Sequence, residues 1–247
     1  MSPASLRGLT AAAPVLALLA IWHLAVVASG SLIFPTPVQV AAGLIDLARQ
    51  GLLLKHVVAS LFRVTVGYLL AVALAVPVGM LMGWFASVHT FLNPLVQGLR
   101  PISPIAWIPL AVLWFGIGLS GKIFIIFIGS FFPVLLNTIA GVRGVPPILI
   151  TAARTFGCSP LQLTTRVCIP AALPTIATGL RIAFGTAWMT IIAAEMVASK
   201  SGLGHMIIDG MEILRSDVVI VGMAAIGVLG FLFDALFRNI EERLKER

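Results

Sequence analysis

Charge is what this chain has least of. Asp, Glu, Lys and Arg together make up 10% of its 247 residues, against about 25% in ordinary globular domains. Too few are present to coat a water-facing surface of that size. With 60% hydrophobic residues and a mean hydropathy of +1.09, the solvent for most of the chain is lipid. Cysteine is as scarce: Cys158 and Cys168 are too few for a disulfide framework and lack the clustering of a metal site, so both read as plain thiols. His23, His56, His89 and His205 are scattered, none at metal-ligand or nucleophile-activating spacing from an acid, so neither a catalytic set nor a metal site is expected. The net charge of +7 is spread singly rather than in runs with interleaved aromatics, which argues against nucleic acid as a partner.

Long uncharged stretches occupy residues 8–45, 64–99, 102–121, 123–142, 182–194 and 218–233. A spanning helix needs roughly 20 mainly apolar residues, so the reading is an all-α integral membrane protein with about six transmembrane helices in one domain, residues 1–247. Residues 11–29 have the apolarity of a signal-peptide core, but Ser29-Gly30-Ser31 is a weak small-residue site and five further spans follow, so this segment reads as a retained first helix.

With the N-terminus inside, six crossings return the C-terminus to the cytoplasm. Arg7, Arg143, Arg154, Arg166, Arg238, Arg243, Lys245 and Arg247 then lie inside, and Arg49, Lys55, Lys122, Lys200 and Arg215 outside, where Asp46, Asp209, Glu212 and Asp217 dilute them. The bias has the sign of the positive-inside rule.

Thr36 and Pro37 look like an N-cap and a first-turn proline. Val38, Ala41, Leu44, Ile45 and Ala48 then recur at helical spacing opposite Gln39, Asp46, Arg49 and Gln50, as in a helix lying in the membrane interface. The second span is placed at 64–85, the fourth at 123–142, the fifth at 174–198 and the sixth at 218–239. In the third, Pro101, Pro104 and Pro109 follow Arg100: either the helix starts late, with Arg100 at the cytoplasmic boundary, or a broken helix lines a path. Gly116-Ile117-Gly118-Leu119-Ser120-Gly121-Lys122 imitates a phosphate loop, but Ile123 stands where Ser or Thr would hold magnesium. It reads as a tight turn between spans three and four.

The segment between spans four and five, about 143–173, is too regular for a mere connector. Pro146-Pro147 starts a short helix and Gly157 supplies a left-handed stop. Ser159-Pro160-Leu161-Gln162 then caps a second helix that ends near Ile169, at Pro170. A rigid helix–glycine–helix element on the cytoplasmic face suits docking another protein.

Ala152-Ala153-Arg154-Thr155-Phe156-Gly157, with Val167-Cys168-Ile169-Pro170 after it, resembles the coupling-loop motif of ABC importer permeases, which begins Glu-Ala-Ala, carries a glycine and closes Ile-x-Leu-Pro. Thr151 stands in place of the glutamate. Phe34-Pro35-Thr36-Pro37, Leu61-Phe62-Arg63-Val64, Trp114-Phe115-Gly116-Ile117-Gly118, Gly179-Leu180-Arg181-Ile182, Ala194-Glu195 and Ser201-Gly202-Leu203-Gly204 are similar to the nitrate, alkanesulfonate, taurine and bicarbonate branch of that family. The resemblance implies a bacterial inner-membrane, multi-pass importer subunit with both termini cytoplasmic. It implies a homodimer of two permease copies, two cytoplasmic ABC ATPases that hold the ATP and magnesium, and a periplasmic or lipid-anchored substrate-binding protein. This chain needs no cofactor of its own, and apart from protein its partner is membrane lipid. ATPase coupling is expected at Thr151, Ala152, Ala153, Gly157, Cys158, Ser159, Pro160 and Pro170.

A small anion is the expected cargo, an organic sulfonate or nitrate ahead of bicarbonate. Arg100 and Arg181 either border the path or hold the cytoplasmic boundary by snorkelling. Trp107, Trp114, Trp188 and Met189 are candidate apolar lining, and Glu195 is a further candidate on the path. The alternatives are an ion-coupled secondary transporter and a membrane enzyme. The first needs ionisable groups at the midplane, and Arg181 and Glu195, the candidates, stand fourteen apart on one helix, about 21 Å, so they cannot pair. The second lacks a catalytic set.

Overall fold

The computed structural model describes residues 3–30 and 33–245, side-chain surroundings excepted at 3–12, 198, 244 and 245. Ser31 and Arg247 therefore lie outside the described residues, and Arg7 and Lys245 are placed by backbone alone. The elements in chain order are α1 (Pro3–Ser29), α2 (Pro37–Arg49), α3 (Leu52–Trp84), α4 (Ala86–Leu99), a 3-10 turn (Pro104–Trp107) leading into α5 (Ile108–Phe115), α6 (Leu119–Arg143), α7 (Pro147–Thr155), α8 (Pro160–Leu163), a π turn (Thr164–Cys168), α9 (Ile169–Ala198), α10 (Leu203–Glu212) and α11 (Ser216–Lys245). Among the described residues there is no strand. Leu52–Trp84, Leu119–Arg143, Pro160–Val197 and Ser216–Arg243 are each long and apolar enough to cross a membrane. The α4–α5 pair, bent by 83°, makes a fifth span if taken as one, and α1 adds the shorter apolar stretch Ala13–Ser29. Each of the six expected spans overlaps one of these elements, of which four, or five with the bent pair, reach spanning length and apolarity.

Several boundaries move. The second span starts at Leu52 rather than residue 64, so Lys55, His56, Ser60 and Arg63 lie on the membrane helix itself. The sixth runs on to Lys245. The second loop helix does not end at Pro170. It passes through the π turn into α9, which carries Pro170 in its first turn. Proline lacks the N–H an α-turn would use. The wider turn accommodates this: Ile169 N–H donates to Thr164 O, five residues back, and the rod continues without a break.

Packing fixes the directions. A Cβ on Gly67 would stand 2.7 Å from Ile126 Cβ and one on Gly79 2.7 Å from Thr138 Cβ. Both helices advance by twelve between these contacts, so α3 and α6 are parallel and meet through small residues, the usual close approach of membrane helices. Gly179 faces Asn137 and Gly129 faces Thr190, which makes α9 antiparallel to α6. Arg181 pairs with Asp234 and Glu241, and Trp188 Nε1 donates to Ile226 O, which makes α11 antiparallel to α9. The α7–α8 loop, the end of α3 and the end of α11 therefore share one side, and the starts of α3, α6 and α11 share the other. Because α3 and α6 are parallel, residues 86–118 must cross between them. Pro104 lies 3.5 Å from a Cβ on Gly129, near the middle of α6, so the break after Arg100 is at mid-depth and not at a boundary.

Thr36 caps α2 as its sequence requires, in a full capping box with Gln39. Gly43 and Leu47 of α2 are buried, Asp46 is 3.9 Å from Arg215, and Val38, Leu44 and Ile45 are exposed. The predicted apolar stripe thus faces outward, as in an interfacial helix.

Candidate functional site

In the α7–α8 loop each turn is made by local chemistry. Helix α7 ends in paired reverse bonds, Cys158 N–H to Ala153 O at 3.1 Å and Gly157 N–H to Arg154 O at 3.0 Å, with Gly157 at φ +74. This is the left-handed helix stop that glycine favours. Ser159 then accepts from Gln162 N–H at 3.3 Å while Gln162 Oε1 accepts from Ser159 N–H at 2.9 Å, and Pro160 occupies the first turn. Ala153, Leu163 and Cys168 are buried together against Trp84, the last residue of α3. The exposed surface of the loop presents Ile148 and Phe156, the latter 87% exposed. Thr151, Ala152, Gly157, Ser159 and Pro160 are exposed as well, Cys158 is half-buried and Pro170 sits at the head of α9. The loop is a firmly seated knob with an apolar tip.

The path candidates fall in separate places. Trp107 and Trp114 join Phe115 and Phe124 in an aromatic cluster between α5 and α6, where Trp107 Nε1 is buried without a hydrogen-bond partner. Arg100 is exposed in the bend. Arg181, Trp188 and Met189 are brought together around a cavity of about 180 Å³ with Phe184, Gly185, Gly230 and Asp234. Arg181 is not a free cation there: Nε donates to Asp234 at 2.8 Å and Nη1 to Glu241 at 3.3 Å. Trp188 is buried and Met189 is exposed.

Glu195 belongs to a different assembly at the opposite end. Its buried carboxylate is 2.6 Å from Arg63 Nη1 and accepts from Ser60 Oγ at 2.7 Å and Gly204 N–H at 3.1 Å. Arg63 also donates to Ser201 O and Ser201 Oγ, and Ser60 Oγ accepts from Leu203 N–H. Gly202, at φ +113, donates its N–H to His56 Nδ1 at 3.0 Å. Helix α10 has no side-chain cap of its own. Its leading N–H groups are instead met by side chains of α3 and α9, and its positive end faces the carboxylate. A Cβ at Gly202 would collide with the Glu195 carboxylate. Lys122, 6% exposed, donates to Gly118 O at 3.3 Å. His56 and His205, read as scattered, lie with ring centroids 6.1 Å apart.

Arg63 and Ser201–Gly204 carry family pattern in the sequence, and the fold gives them a role in this assembly. The signal was there: an arginine inside an apolar helix needs a partner. Arg181 and Glu195 do not pair with each other, and each has found an ionic partner elsewhere. Among the described residues no three His, Cys, Asp or Glu side chains gather as a metal site would require.

Against known proteins, the family model described as "binding-protein-dependent transport system inner membrane component" matches residues 75–246. A putative ABC transporter permease protein of Methanocaldococcus jannaschii is 47% identical over 194 residues, covering 78% of this chain and 73% of that protein. The taurine transport system permease of Escherichia coli is 40% identical, covering 86% of this chain and 79% of its own. A nitrate import permease of Leptolyngbya laminosa is 34% identical, covering 96% and 88%. Among solved structures, an inward-facing methionine ABC transporter aligns with a TM-score of 0.71 at 21% identity, over 80% of this chain and 98% of that one. That likeness is one of fold.

Proposed function

The chain belongs to the binding-protein-dependent transport system inner membrane components, as a multi-pass ABC-type permease subunit, and from that premise we propose that it passes a small anion across the inner membrane. An organic sulfonate such as taurine or an alkanesulfonate, or nitrate, is the cargo that the named relatives favour. In this reading two copies form the path, a substrate-binding protein delivers the anion outside, and two ATPases bind and hydrolyse magnesium-ATP inside. The observation that carries the reading is the α7–α8 knob. Its apolar tip at Phe156 is exposed, and its base is locked through Ala153, Leu163 and Cys168 onto Trp84. A push on the tip is thereby delivered to α3 and, through the unbroken rod, to α9. The knob side is cytoplasmic, in line with its arginines, and both termini face it.

Arg181, paired with two carboxylates, offers an anion no net positive charge, so in this reading selectivity rests with the binding protein. The test is ATP hydrolysis by the reconstituted complex with its binding protein, across taurine, alkanesulfonates, nitrate, bicarbonate and a neutral compound of similar size. Stimulation by one or more of the anions is expected. Stimulation by the neutral compound alone rejects the anion assignment.

A further inference from the structure

A groove of about 540 Å³ lies where the knob meets the membrane helices, lined by Met80, Leu81, Trp84 and Phe85 of α3, Val142 of α6, and Leu161, Thr164 and Cys168 of the rod, among others. We propose that this groove binds one acyl chain of an anionic phospholipid, with Arg143 holding the phosphate.

The lining excludes a polar occupant. Thr164 is its one hydroxyl, and that hydroxyl already donates to Pro160 O at 3.0 Å. The volume is that of a small-molecule site, commonly about 300–1,000 Å³. Depth selects the ligand: Trp84 is the last residue of α3 and Val142 the last but one of α6, so the groove opens at the headgroup boundary, where a chain descends from its phosphate and where tryptophan accumulates. Arg143 follows Val142 directly, is exposed, and reaches Met82 O at 3.5 Å with one nitrogen. Arg143 does not line the groove itself, but its other guanidinium donors make no hydrogen bond among the described residues and are free to take a phosphate at the groove mouth.

The surrounding charge favours an anionic headgroup. Arg143, Arg154 and Arg166 are exposed on this side, and the acids on the same side, Asp234, Glu241 and Glu242, belong to α11, which does not line the groove. The occupant touches both the knob and the spans, whose hydrophobic clusters share Trp84, so it bears on their relative motion.

The full chain in phosphatidylcholine vesicles carrying a little phosphatidylglycerol with a diazirine on its acyl chain tests this. After irradiation, adducts on peptides 77–85 and 160–169 are expected several-fold above those at Phe231 and Leu232, which are exposed on α11. Arg143→Gln reduces the groove adducts several-fold, Arg143→Lys retains most of them, and the same diazirine on phosphatidylcholine shows no enrichment. Equal labelling of groove and α11, or indifference to Arg143→Gln, overturns the proposal. So does ready disulfide formation between two copies bearing Leu161→Cys, which places protein over the groove.

Discussion

At Gly157 a side chain would meet nothing within 4 Å, yet φ is +74. The restriction is purely torsional, and substitutions separate by their tolerance of the left-handed region, not by bulk. Gly157→Asn is expected to transport nearly as the parent does. Gly157→Val is expected to insert in the membrane but lose uptake and the coupling of ATP hydrolysis to cargo, as measured in vesicles. Equal uptake by both variants would show that the knob's turn is not used. Glu195 makes the opposite case, a residue whose worth is its partners. Removing it strands Arg63 inside the protein, an error worth about 3–5 kcal/mol. Glu195→Ala and Arg63→Ala are each expected to lower the melting temperature of the purified protein strongly, and the double variant by clearly less than the two losses added. Additive losses would mean that the 2.6 Å pair contributes little.

Among the elements, the α8–π–α9 rod sets the orientation of the knob relative to Trp84. An α-helix turns about 100° per residue, so adding one alanine between Leu163 and Thr164, on the knob side of the π turn, is expected to swing α8 by about 100° about the rod axis. The protein still inserts, but uptake fails. Retained uptake would show that the rod's register is idle. This scale also separates what the sequence discloses from what it hides. The caps at Thr36 and Ser159 and the stop at Gly157 are decided by residues within four of each other, and they were legible. The π turn and the 83° bend were not. Proline marks where a helix is disturbed, but whether it ends, bends or widens depends on neighbours such as Gly129 and Trp84 that are remote in the chain. The clasp that Arg63 and Glu195 form around Ser201–Gly204 was least legible, since its charges come from α3 and α9 and its turn from a serine–glycine segment with no chemistry of its own.

For the whole molecule, sidedness is open to direct measurement. Cys158 is half-buried on the knob side and Cys168 is buried at the floor of the groove. An impermeant maleimide is expected to leave both untouched in intact cells, and to modify Cys158 but not Cys168 once the membrane is opened. Labelling of Cys158 from outside would reverse the orientation. The clasp adds a constraint of time. Arg63 enters the membrane 132 residues ahead of Glu195, and at common synthesis rates the ribosome needs roughly 7 to 26 s to cover that distance. For that interval a helix with an uncompensated guanidinium must be sheltered by the insertion machinery or kept near water. Nascent chains halted before Glu195 are therefore expected to be destroyed by membrane proteases, and those halted beyond Gly204 to persist, making the clasp a checkpoint that the growing polypeptide passes only when its fifth span arrives.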